Sequence, residues 1–134
     1  MKHFSIKELC ASVRAEELGI ENNPTPEACD KLIALTENIL DPAREALGRP
    51  IVVNSGYRCP KLNKTVGGAA GSQHLLGEAA DIELGGKTPA ENKELYDWIV
   101  ANCEYDQIIN EYDFQWVHVS FRKGHNRKQK LKIG

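Results

Sequence analysis

The segment Val53–Leu84 reads VNSGYRCPKLNKTVGGAAGSQHLLGEAADIEL, and the order of its elements decides the fold. β-Branched Ile51, Val52 and Val53 start a short strand, Ile51–Ser55, that runs into it. Ser55-Gly56-Tyr57-Arg58 leaves that strand for a loop. Gly67, Gly68, Gly71, Asn63 and Ser72 keep the loop irregular, apart from a short helix near Pro60–Thr65. Ala79–Leu84 then returns as a second strand, and Gly85-Gly86 turns out of it. Within this strand–loop–strand unit, Ser72, His74, Gly77 and Asp81 form the pattern S-x-H-x-x-G-x-x-x-D.

Upstream, Ser5-Ile6-Lys7-Glu8 has the form of a capping box, which predicts a helix from Ser5 to about Ala15. Asn22-Asn23-Pro24 breaks the chain, and Thr25, Pro26 and Glu27 start a second helix. Leu32, Leu35, Ile39, Leu40, Ala43 and Leu47 give it one buried stripe. Pro42 should kink it near Leu40, and Gly48 should end it. Downstream, Thr88-Pro89-Ala90-Glu91 starts a helix whose apolar face holds Leu95, Trp98, Ile99 and Cys103. Gln107–Tyr112 and Trp116–Phe121 read as the two strands of an antiparallel hairpin. Arg122–Gly134 reads as a solvated basic tail, with contact to an anionic polymer or to carboxylates of a ligand as the alternative. The sum is one α+β domain over 1–134: a small, mostly antiparallel sheet with helices packed on one side.

Strand alternation adds chemistry. Trp116, His118 and Ser120 share one face of the last strand, while Val117, Val119 and Phe121 face the core. Asp81 and Glu83 likewise lie opposite Ile82 and Leu84. Two imidazoles and one carboxylate (His74, His118, Asp81) make a catalytic zinc set with one position left open. The same residue types also serve as ordinary hydrogen-bonding groups, and the His-to-Asp spacing alone does not decide between the two. His3 and His125 read as surface residues.

Composition narrows the classes. The chain has 134 residues, 41% hydrophobic and 27% charged, with net charge -2. No global basic field or aromatic platform argues for nucleic acid. No apolar run reaches the roughly 20 residues of a transmembrane helix. MKHFSIKELCAS lacks the apolar core of a signal peptide, so no export route of the chain's own is expected. Cys10, Cys29, Cys59 and Cys103 contain no C-x-x-C pair and read as reduced, mostly buried thiols, with a Cys10–Cys29 disulfide as the alternative.

Taken together, Ser55-Gly56-Tyr57-Arg58, Asn63, Val66-Gly67-Gly68, Ser72 through Ile82, and Trp116-Val117-His118-Val119-Ser120 closely resemble the D-alanyl-D-alanine metallopeptidase family, whose fold is shared with the zinc domain of hedgehog proteins. The likeness extends upstream to Phe4–Leu9 and Leu40–Glu45. It implies that His74, Asp81 and His118 bind Zn2+, that Arg58 holds substrate near the scissile bond, and that Ser72 contacts substrate. For Ser72 a plain loop hydrogen bond is the equal alternative. The general base departs from the family's patterns, because Gln115 and Trp116 stand where some members have an acid or a histidine. Glu111 is the expected base and Asp113 the second choice, with a hairpin salt bridge as the other role for Glu111.

The resemblance thus implies a zinc peptidase that cuts peptide bonds next to D-amino acids in peptidoglycan stem peptides or cross-links. It would act as carboxypeptidase or endopeptidase, as a monomer, at the cell wall, released in the manner of a phage lysin or otherwise. The alternative from another class is a zinc-stabilised wall-binding module with little or no catalysis.

Overall fold

The computed structural model describes residues 1–134. Ser5 caps α1 (Ile6–Leu9) by accepting the Glu8 amide, but the helix stops at Cys10. Ser12 then caps a separate helix, α2 (Val13–Leu18), through the Ala15 amide at 3.1 Å. The single helix expected to run to Ala15 is therefore two. Ser12 competes for backbone donors in the middle of that stretch and starts a new turn instead of continuing the old one.

Thr25 caps α3 (Pro26–Leu35), with Pro26 at its first position. The helix widens to a π turn over Thr36–Leu40 before α4 (Asp41–Leu47). Pro42 is the physical cause: it has no amide hydrogen and its ring crowds the carbonyl four residues earlier. The Asp41 amide reaches back five residues to Thr36 O across the wide turn. Gly48, with φ of +66°, closes α4.

The sheet contains β1 (Ile51–Ser55), β2 (Ala79–Leu84), β3 (Gln107–Glu111), β4 (Trp116–Ser120) and β5 (Gln129–Ile133). Their order is β1-β2-β4-β3-β5. The first three neighbouring pairs are antiparallel, and β5 runs parallel to β3. The basic tail is exposed, as expected of a solvated terminus, but it is not irregular throughout, because its last third forms an edge strand. Between β1 and β2 lie α5 (Pro60–Thr65) and a 3-10 turn, Gln73–Leu76. Thr88 caps α6 (Pro89–Asn102), which connects β2 to β3.

One sheet face and the helices enclose the core. Ile82, Leu84, Ile108, Val117 and Val119 meet Leu9, Leu32, Leu35, Ile39, Leu95 and Ile99, all fully buried. The four cysteines are free thiols, and only Cys103 is fully inside. The opposite face of the central strands carries their polar side chains. Asp81 and His118 are directly opposite each other there, as the alternation requires.

Two buried polar residues lock the frame. Asn92 on α6 is fully buried and donates to Glu83 and to the carbonyls of Phe114 and Gln115, while its Oδ1 accepts the Leu84 amide at 2.9 Å. It holds the β3–β4 connection, where Tyr112, Asp113 and Phe114 all have positive φ (53°, 54° and 61°). Asp106 is also fully buried and takes a two-pronged contact from Arg127 Nε and Nη2 at 2.9 and 2.8 Å, plus the Arg127 amide. That clamp fixes the segment leading into β5.

Candidate metal centre

His74 is placed by its own turn. Ser72 Oγ accepts the His74 amide at 3.2 Å, so the loop hydrogen bond expected as one role for Ser72 is present. Gly77 ends the turn at φ of +77°, and a Cβ there would meet the Ala28 carbonyl oxygen at 2.4 Å. Only glycine satisfies both the dihedral and the close packing on α3. The imidazole is almost fully buried, and its Nδ1 lies 2.7 Å from Gly56 O. A carbonyl can only accept, so Nδ1 carries the hydrogen and Nε2 presents a lone pair.

That lone pair points at Asp81: His74 Nε2 is 3.5 Å from Asp81 Oδ1. His118 Nδ1 approaches the same oxygen at 2.9 Å. The two rings sit edge to face, with centroids 5.1 Å apart. Burial opposes charge on Asp81, but the hydrogen bond from His118 and the closeness of both imidazoles outweigh it and hold the carboxyl well below the usual carboxylate range. One donor atom from each residue lies within 4.8 Å of the others. Tetrahedral zinc with bonds of about 2.0–2.1 Å separates its ligand atoms by about 3.3–3.4 Å. The two measured separations bracket that value, so the donor set fits the ion in chemistry and in spacing.

Arg58 stands beside this group. Its Nε donates to Ser55 Oγ at 3.1 Å and its Nη1 to Asn63 Oδ1 at 3.4 Å, which leaves Nη2 3.6 Å from Asp81 Oδ2. The two carboxylate oxygens of Asp81 are thereby divided between the histidines and the arginine. Asn63 also donates to Ala69 O and folds the glycine loop back over Arg58. A Cβ on Gly68 would overlap Asn63 Oδ1 at 2.1 Å, so a side chain there would displace the Asn63 amide from Arg58.

Glu111 pairs in register with Trp116, and His118 with Ile109. Glu111 therefore sits on the face that carries His118, two residue pairs along the ladder. Its Oε2 accepts the Trp116 indole N–H at 2.9 Å. Asp113 is on the strained turn, largely exposed, and faces Lys132 at 3.8 Å. Of the two acids considered for the base, only Glu111 shares the strand face of the metal-binding group.

A cleft of about 470 Å³ opens from His118 and Ser72, lined by Gln73, Gln107, Arg122 and Arg127 among others. The sequence placed the last two only within an undivided basic tail, because a run of six basic residues near the end of a chain carries no signal for which of them folds inward. Gln73 was passed over. Its side chain donates to Asp106 at 3.0 Å and to buried Glu78 at 3.3 Å, bracing the turn that carries His74.

Comparison with known proteins agrees with this geometry. A family model described as Peptidase M15 matches residues 2–120. A curated relative, the zinc D-Ala-D-Ala carboxypeptidase of Streptomyces albus G, is 47% identical over 47 residues. That stretch is 34% of this chain and 18% of the relative's length, so only a small part of that longer protein is matched.

Proposed function

The chain belongs to the Peptidase M15 family, and from that premise we propose a zinc-dependent peptidase that hydrolyses bonds next to D-amino acids in peptidoglycan stem peptides or cross-links. The observation that carries the proposal is the convergence of His74 Nε2 and His118 Nδ1 on one oxygen of Asp81, with Arg58 Nη2 facing the other. In this reading His74, Asp81 and His118 hold the ion. The reading extends to carboxypeptidase or endopeptidase action by a monomer at the cell wall, reached by phage-type release or another route.

Bound zinc supplies Lewis acidity and lowers the pKa of a water to about 7. The chain's own groups do the rest. Gly56 O fixes the tautomer of His74, and the β2–β4 ladder fixes His118 against Asp81. Arg58, already aimed by Ser55 and Asn63, places a guanidinium N–H where charge develops on the peptide carbonyl oxygen. Trp116 occupies Glu111 Oε2, so Oε1 is the atom that accepts the proton from water and returns it to the leaving amine. Ser72, on the cleft wall, contacts the peptide backbone with whatever capacity its hydroxyl retains after accepting the His74 amide.

One observation favours the second reading, a wall-binding module. Glu111 already has a structural partner in Trp116, which a mere hairpin brace would also have. Release of free amino groups from purified peptidoglycan separates the two. The peptidase reading expects release that stops with chelator, returns with zinc, and is absent in His118→Ala. Zinc-loaded wild type that binds several wall chemotypes and cleaves none of them would leave only the binding module.

A further inference from the structure

The family match ends at residue 120, yet the cleft beside His118 is completed by residues beyond it. Arg122 and Arg127 are brought to its far end by a tight turn. The Arg122 amide donates to Asn126 Oδ1 at 2.8 Å, the His125 amide donates to Arg122 O at 2.9 Å, and Gly124 has φ of +79°. Asp106 then anchors Arg127 from beneath. Both arginine side chains remain about half exposed, at 47% and 49%.

Neither guanidinium is used up by its acid. Arg127 spends Nε and one hydrogen of Nη2 on Asp106 and keeps Nη1 free. Arg122 touches Glu78 only through Nε, at a loose 3.6 Å. Glu78 is also shared with Lys31 at 3.5 Å and with Gln73. On this wall Arg122 and Arg127 each face one buried carboxylate, Glu78 and Asp106, and each keeps N–H groups that its acid does not take. Neutral donors, Gln107 and Gln73, line the path from there to His118. A planar fork with spare N–H groups, half exposed on the wall of an open cleft, suits a carboxylate.

We infer that the Arg122–Arg127 end of this cleft is a recognition subsite for a second carboxylate on the peptide substrate, one that is not part of the bond being cut. This rests on the peptidase reading above and adds a substrate class to it: peptides with a free acidic group a short distance from the scissile bond. The subsite belongs to the segment that β5 pins down, not to the part of the chain that the family match covers.

The test uses two synthetic peptides with a D-amino acid at the scissile bond, identical except that one carries a carboxylate and the other a carboxamide at the distal position. Zinc-loaded wild type and the Arg122→Gln and Arg122→Lys variants are compared in two ways, steady-state cleavage and calorimetric binding. The full 134-residue chain is used. Wild type should prefer the acid by about tenfold in kcat/KM, chiefly through KM, as one charge-assisted pair allows. Arg122→Gln should bring the acid-to-amide ratio to about one, and Arg122→Lys should keep part of it. Equal binding and equal cleavage of the two peptides by wild type would overturn the subsite. So would a preference that survives in Arg122→Gln. Preferential binding of the acid without cleavage of either peptide would uphold the subsite and defeat the peptidase reading instead.

Discussion

Replacing Gly56 with alanine should damage the metal centre from the opposite side of the sheet edge. A Cβ at Gly56 would lie 2.0 Å from the Leu9 carbonyl oxygen and 3.0 Å from its carbon. Van der Waals contacts settle nearer about 3.5 Å, so one backbone must retreat by about 1 to 1.5 Å. Two hydrogen bonds run through this point. Leu9 O accepts the Tyr57 amide at 2.9 Å, and Gly56 O accepts His74 Nδ1–H at 2.7 Å. Overpacking costs about 1–3 kcal/mol and the lost amide bond about 1. The expected loss is therefore about 2–4 kcal/mol, or roughly 6–12 °C in Tm for a domain of this size. Zinc coordination tolerates only about 0.2 Å, and loss of the partner that orients a ligand costs about 10–100-fold in affinity. Thermal melts of zinc-free protein and competition against a chelator measure the two effects separately. Gly71→Ala is the control, since nothing lies within 4 Å of its Cβ and its φ is ordinary. If Gly56→Ala lowers Tm but binds zinc as tightly as wild type, the Gly56 carbonyl does not hold His74 in its ligating orientation.

Other outcomes follow from the same geometry. Glu111→Gln should keep zinc affinity and the Trp116 contact while lowering kcat by about 10²–10⁴-fold, measured by steady-state cleavage. A near-normal kcat would remove Glu111 as the base. Asn92→Ala should cost about 3 kcal/mol in urea denaturation, because it orphans the buried Leu84 amide and frees the strained turn at Tyr112–Phe114. The Asp106 carboxyl is held down to about 2, chiefly by the Arg127 side chain against the effect of burial. A group with a depressed folded pKa stabilises above its unfolded value and loses that as pH falls through the folded one. Stability of zinc-free wild type should therefore drop between about pH 4 and pH 2. Asp106→Asn, already less stable at neutral pH, should show a shallower acid limb in pH-dependent denaturation.

Local signals in the sequence carried much of this structure. Ser5, Thr25 and Thr88 cap helices because their hydroxyls accept amides three residues on, which involves no distant partner. Alternation put Asp81 and His118 on polar faces, since side-chain direction in a strand has a period of two. Register was another matter. That Asp81 lies opposite His118, and Glu111 opposite Trp116, depends on how separate strands align. The direction of Glu111 could not be read from its own strand for that reason. β5 escaped notice because Lys130 and Lys132 mask a weak alternation, and its parallel pairing with β3 depends on the remote Asp106–Arg127 contact. Nothing beside Asn92 or Asp106 in the sequence marks either as buried, because the partners that satisfy them come mostly from far along the chain.

The strand order has a consequence for how the protein opens. Asp81 and His118 are brought together by adjacent inner strands, while β5 lies at one edge. Peeling β5 away leaves the donor set intact, but separating β2 from β4 destroys it. A metal that binds only the closed form suppresses only those openings that break its site, by about 2.7 kcal/mol at 100 times its Kd. Amide hydrogen exchange in β2 and β4 should then slow by up to about a hundredfold on metal addition, while exchange in β5 stays as it was. Zinc would thus widen the gap between a rigid centre and a breathing edge, and the edge is the strand that anchors Arg122 and Arg127 beside the cleft.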